Sequence, residues 1–140
     1  MRKQVLGLIV PLLAFVLIAA AADTTGSGEA ASARLQRLAV AHDRDGLRVE
    51  FKAKGTLAPT VTTLASPARI VVDLPNTVMA TGQNSISVGQ DGVKDVRIGM
   101  DGKGNTRVVF DLTDSRRHEL VAGADGSFIL KIQDLSLIHI

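Results

Sequence analysis

The sequence predicts an all-β domain, a sandwich of two roughly symmetric four-stranded sheets. Three observations lead there. After residue 35 the apolar residues recur at every second position in short runs, the mark of half-buried strands. No stretch in that region sustains the 3.6-residue apolar period of an amphipathic helix. Gly, Pro, Asn and Asp gather between the runs, where turns need them.

The elements follow in order. Leu47-Arg48-Val49-Glu50-Phe51-Lys52 alternates apolar and charged residues strictly, and Asp45-Gly46 is the turn that joins it to its hairpin partner, Leu38-Ala39-Val40-Ala41. Val61 to Leu64 is rich in β-branched residues, and Ser66-Pro67-Ala68 turns the chain into Arg69-Ile70-Val71-Val72-Asp73-Leu74. Ile70, Val72 and Leu74 share one face of that strand, and Arg69, Val71 and Asp73 share the other. Pro75-Asn76 ends it, because proline has no amide hydrogen for a continuing ladder. Residues 76–95 are a link, with Ile86-Ser87-Val88 as a short edge strand. Val96-Arg97-Ile98 then leads through a glycine-rich hairpin turn, Asp101 to Asn105, into Thr106 to Leu112.

The second half reads as a loose copy of the first. Arg48-Val49-x-Phe51 aligns with Arg107-Val108-x-Phe110, an offset of 59 residues, which also lays Arg69-Ile70-Val71 over Phe128-Ile129-Leu130. The expected core between the sheets is Leu47, Val49, Phe51, Ile70, Val72, Leu74, Val108, Phe110, Leu112 and Leu130.

Ahead of this domain, residues 1–22 read as a signal peptide: Arg2 and Lys3, an uncharged apolar run, then Ala20-Ala21-Ala22 before Asp23. The rival reading is a retained anchor, since Val5 to Ala22 is just long enough to span a bilayer. Residues 23–34 are small and polar and read as a linker, 35–133 as the domain, and 134–140 as a tail. Of the 16 Lys/Arg, Arg2 and Lys3 fall in the leader, leaving 14 against 14 Asp/Glu. The exported part is formally neutral and has no Lys/Arg block for neutralising phosphates, which argues against nucleic acid. Membrane contact is expected only through an uncleaved leader.

Catalytic groups are scarce. The chain has no cysteine, and no H-E-x-x-H, G-x-S-x-G or spaced His/Glu metal set. His42 and His118 read as surface turn residues, and Asp43-x-Asp45-Gly46 lacks the later glutamate of a calcium loop. The sequence therefore predicts no enzyme, no metal and no cofactor.

Two segments carry a family resemblance. Pro67-Ala68-Arg69-Ile70-Val71-Val72-Asp73-Leu74-Pro75-Asn76 is one. Val93-Lys94-Asp95-Val96-Arg97-Ile98-Gly99, with Thr106-Arg107-Val108-Val109-Phe110-Asp111-Leu112, is the other. With the opening strand at Leu38 to Ala41 they resemble the AMIN domain, from about Leu35 to Ile132. The resemblance implies a symmetric β-sandwich and a periplasmic targeting role: AMIN domains stand N-terminal in cell-wall amidases and type IV pilus secretins and attach them to peptidoglycan. The last residues, Leu135 to Ile140, fit no strand of that family and read as a truncation artefact.

The candidate binding residues are Arg69, Asp73, Arg97, Arg107 and Asp111. Arg69 and Asp73 project from one face of a strand, as do Arg107 and Asp111. One reading is cross-strand ion pairing on a solvated face. The other is a polar platform whose guanidinium forks take the carboxylates of peptidoglycan stem peptides. With no Trp or Tyr for sugar stacking, recognition runs through hydrogen bonds and ion pairs. The expected function is a non-catalytic peptidoglycan-targeting module. The alternative is a protein-interaction module of a pilus or secretion secretin, and secretin or division-machinery proteins are the further partners considered.

Overall fold

The computed structural model describes residues 33–134, so the leader and the tail from residue 135 lie outside it. Ten strands run β1 (Ala33–Asp43), β2 (Gly46–Lys54), β3 (Thr60–Leu64), β4 (Arg69–Leu74), β5 (Thr77–Met79), β6 (Ser85–Gln90), β7 (Val93–Met100), β8 (Thr106–Leu112), β9 (His118–Ala122) and β10 (Phe128–Gln133). A single 3₁₀ turn, Ala124–Gly126, is the one helical element among the described residues. The strands form two five-stranded sheets, β5-β1-β2-β10-β9 and β3-β4-β8-β7-β6. Each sheet is thus the expected four strands plus one short edge strand, β5 or β6.

All ten expected core residues are buried, none more than 5% exposed. They join Leu35, Leu38, Val93, Val96, Ile98 and Ile132 in one cluster drawn from both sheets. At its centre the rings of Phe51 and Phe110 meet edge to face, 6.4 Å apart at 62°, a favoured aromatic geometry.

The repeat is real in the strand order, but neither half makes a sheet of its own. Hairpins β1–β2 and β9–β10 share the first sheet, while β3–β4 and β7–β8 share the second. The register also corrects the expected alignment. Phe51 stands opposite Phe128, and Phe110 stands opposite Ile70. With Phe51 matched to Phe110, Ile70, Val72 and Leu74 correspond to Phe128, Leu130 and Ile132, an offset of 58 rather than 59. The single 59-residue offset fails there because one residue of slip exchanges the inner and outer faces of a strand.

The two halves share a further irregularity. The β1–β2 register shifts between Leu35 and Arg37, and the β7–β8 register shifts between Val93 and Asp95. Each shift is a bulge, at Gln36 and Lys94, that leaves one residue unopposed. It lets Leu35 and Leu38, and likewise Val93 and Val96, point inward although three apart.

Two boundaries differ from expectation. β1 begins at Ala33, which is 1% exposed, so the strand takes in the last two residues expected of the linker. β5 follows directly after Pro75-Asn76 and pairs in parallel with β1. Thr77 is fully buried there, its hydroxyl donating to the Pro75 carbonyl at 3.0 Å and its own carbonyl accepting from Thr106 Oγ1 at 2.7 Å. At the β1–β2 turn Gly46 has φ +132°, and a Cβ there would meet the Ile132 carbonyl oxygen at 2.2 Å. Glycine is required because β10 passes that close.

Candidate functional site

The five predicted residues lie on the outward face of the second sheet, carried by β4, β8 and β7, which are neighbours in that order. Period-two alternation puts them there, since Ile70, Val72, Val108, Phe110 and Ile98 take the inward positions. Asp73 stands directly opposite Arg107. Arg107 donates to it through Nε at 2.6 Å and through its second terminal nitrogen at 3.2 Å, a two-toothed contact. Arg97 reaches diagonally to Asp111 in the same way, at 2.7 and 2.9 Å. The hydrogen bonds that Arg97 donates to Asp111, then the charge of that carboxylate, raise the Arg97 pKa, and Asp73 does the same for Arg107. Both arginines remain protonated and closed onto carboxylates.

Arg69 behaves differently. Asp111 is its cross-strand neighbour, but both oxygens of that carboxylate are taken by Arg97. The Nε of Arg69 is buried without a hydrogen-bond partner. The structure therefore joins Arg107 to Asp73 and Arg97 to Asp111 in two separate salt bridges and leaves Arg69 outside both.

The outward face of the first sheet carries a different pattern. Arg34 stands opposite Lys54, Arg37 opposite Lys52, and Arg48 opposite Lys131. Like charges directly opposed across strands destabilise a sheet, by about 0.2–1 kcal/mol for each pair. Glu119 stands opposite Lys131, and the ion pairs of Glu50 and Asp43 with this face are long: Lys52 to Glu50 at 3.7 Å and Arg48 to Asp43 at 3.8 Å. By the corrected register Arg48 and Lys131 correspond to Arg107 and Asp73. The same place holds a repulsive pair in one sheet and a salt bridge in the other. Sequence reasoning missed this face because residues 23–140 are neutral in sum. The signal was present in Arg48-x-Glu50-x-Lys52-x-Lys54, whose alternation places three cations on one side of β2.

A family model described as the AMIN domain matches residues 38–128, more than half of the chain. The chain belongs to the AMIN domain family. The two segments that carried the resemblance are the three central strands of the second sheet of this AMIN domain, so both of its two-toothed salt bridges are built from them. No curated protein matches the chain.

The remaining reactive groups of the AMIN domain do not converge. Among the described residues no cluster of His, Cys, Asp and Glu has the makings of a metal site. His42 lies within β1, one residue from its end, instead of in the turn, and bonds through Nδ1 to Asp91, tying the first sheet to the β6–β7 turn of the second. His118 opens β9 instead of sitting in a turn, and His139 lies outside the described residues. Asp43 accepts the Asp45 amide at 2.9 Å, a local turn closure. Asp101 does the same more fully, accepting from the Lys103 amide at 2.7 Å and from the side-chain nitrogen of Asn105 at 2.7 Å. Those bonds, with the one from Asn105 first, hold its carboxyl below the usual carboxylate range. The glycine-rich segment is a self-closed hairpin turn.

Proposed function

We propose that this chain is a non-catalytic periplasmic targeting module that binds peptidoglycan and localises an envelope protein or machine at the cell wall. The observation that carries the reading is the basic face of the first sheet, in a domain whose family is periplasmic and peptidoglycan-targeting. Peptidoglycan stem peptides bear free carboxylates. A carboxylate seated between two opposed cations forms charge-assisted hydrogen bonds and removes the repulsion the free domain carries. Each such contact is exposed and weak, and a polymer with many equivalent sites turns weak contacts into retention.

The predicted platform of Arg69, Asp73, Arg97, Arg107 and Asp111 enters as a second contact. Arg97 and Arg107 meet a ligand there by exchanging an internal carboxylate for an external one. The test is co-sedimentation of the purified chain with sacculi across a salt series. Retention at low salt and release near 1 M, where the screening length falls to about 3 Å, is the expected result. A chain left in the supernatant at low salt defeats the proposal.

A second reading, a protein-interaction module of a pilus or secretion secretin, is favoured by one edge. β3 is five residues long, uncharged (Thr60-Val61-Thr62-Thr63-Leu64) and paired with β4 without a register shift. The other edges are blunted: β5 by its three residues, β6 by its register shift, and β9 by Glu119. An added strand from a secretin would pair along β3. Thr62→Lys should abolish secretin capture and leave sacculus binding unchanged.

A further inference from the structure

We propose that the cleft where the end of β3 and the start of β4 face the segment leading into β9 is a carboxylate site. Its ligand is the C-terminus of a short peptide ending in a small apolar residue. On the wall-binding reading, on which this rests, that group is the terminal alanine of a peptidoglycan stem peptide.

The cleft has a volume of about 570 Å³, and Arg69, Arg116, Arg117 and His118 line it with no acidic residue among its walls. Nε of Arg69 is buried with no partner, and one terminal nitrogen of Arg116 is buried with no hydrogen bond, only an ion pair to Asp134. Arg116 is held in place from behind. Its Nε donates to Asp114 at 2.8 Å, Asp134 lies 3.6 Å from the unsatisfied nitrogen, and its guanidinium packs on Gly92 so closely that a Cβ there would lie 2.3 Å away. Asp111, the cross-strand neighbour of Arg69, is bonded by Arg97 at both oxygens, and Arg69 lines the cleft instead. Burying a donor without a partner costs free energy, and an anion in the cleft recovers it.

The flat fork of a guanidinium matches the two oxygens of a carboxylate. Beside the cations the wall is apolar, formed by Leu64, Ala65 and Ala68, with Leu64 41% exposed. A carboxylate next to a methyl group, the end of an alanine-terminated peptide, satisfies both surfaces together. The sequence placed Arg69 on the platform of the second sheet; the structure pairs Asp111 with Arg97 and has Arg69 line this cleft.

The test uses the purified full chain and three probes: the stem tetrapeptide L-alanyl-γ-D-glutamyl-meso-diaminopimelyl-D-alanine, the same peptide with its terminal D-alanine carboxyl amidated, and inorganic phosphate. ¹⁵N–¹H spectra follow the side-chain Nε–H signals of Arg69 and Arg116. The free acid should shift both signals, and the amide should bind at least about ten-fold more weakly, the loss of one charge-assisted contact. Arg69→Leu should lower tetrapeptide affinity by about ten-fold, yet melt no lower than the parent, because it removes a buried donor that had no partner. Arg69→Lys should not restore binding, lacking the fork.

Equal binding of acid and amide overturns the proposal, as does phosphate displacing the peptide at equal concentration, or shifts confined to β1, β2 and β10. Sacculus co-sedimentation runs in parallel. A chain that holds sacculi and ignores the tetrapeptide defeats the cleft alone; one that ignores both defeats the wall-binding reading as well.

Discussion

Lys54→Glu separates stability from binding on the basic face. Lys54 is exposed at the end of β2, directly opposite Arg34 and two residues from Lys52 on the same side. Its replacement by an acid removes one opposed like-charge pair and creates one opposed unlike pair, each worth about 0.2–1 kcal/mol. The net gain should be about 0.5–1.5 kcal/mol at low ionic strength, a rise in melting temperature of about 2–7 °C for a domain near 100 residues. The gain should fade toward 1 M salt as screening tightens to about 3 Å. Thermal unfolding at low and high salt measures it, with sacculus co-sedimentation on the same samples. The expected pairing is a more stable domain that leaves the wall at lower salt. A variant that melts lower than the parent at every salt would show that the cations do not repel as their register implies. A more stable variant with unchanged retention would clear the first sheet of any part in binding.

Three further outcomes are expected. Phe110→Ala empties a site with 0% exposure and breaks the edge-to-face contact with Phe51. It should cost about 3–5 kcal/mol, seen as a lower urea midpoint at unchanged slope, and a loss under about 1.5 kcal/mol would mean the sheets do not close on that ring. Arg69→Ala with Arg107→Ala should fold normally, since Arg69 makes no ion pair among the described residues and the Arg107–Asp73 bridge is exposed, worth about 0–1 kcal/mol. Circular dichroism and melting check this, while sacculus release should come at lower salt. Asp101 has its folded-state pKa depressed, so its contribution is present above the unfolded value and is lost as pH falls through the folded one. Urea midpoints between pH 2 and 5 should therefore fall less steeply below about pH 4 in Asp101→Asn than in the parent.

Much of this was legible in the residues. Strict alternation in Leu47 to Lys52, Arg69 to Leu74 and Thr106 to Leu112 fixes both the strands and which side chains enter the core, because a strand offers only two faces. β5 was not legible: three residues after Pro75-Asn76 carry no period, and what holds them is the Thr106–Thr77 hydrogen bond across 29 positions of sequence. The bulges hid in plain sight, as apolar residues three apart at Leu35/Leu38 and Val93/Val96, a spacing that strict alternation discards. The site was half legible. Same-face Arg and Asp positions followed from parity along each strand. Which arginine binds which aspartate depends on diagonal reach, and that separates Arg69 from Arg97. The opposed cations of the first sheet needed the register of β1, β2 and β10, which no single strand reveals.

The placement of the outer strands has a mechanical consequence. β1 and β10 both run antiparallel to β2, which lies between them, so they run parallel to each other. Ala33 enters the sheet near Lys54, at one end of β2, and Gln133 leaves it opposite Gly46, at the other. Tension applied through the flanking chain therefore pulls along the strands and not across them. Every rung of both ladders shares the load, and none can be opened singly from an end, as happens when a hairpin is peeled apart. On the proposed wall-binding function, resistance to unravelling in that direction is an advantage, and this strand order supplies it without any disulfide.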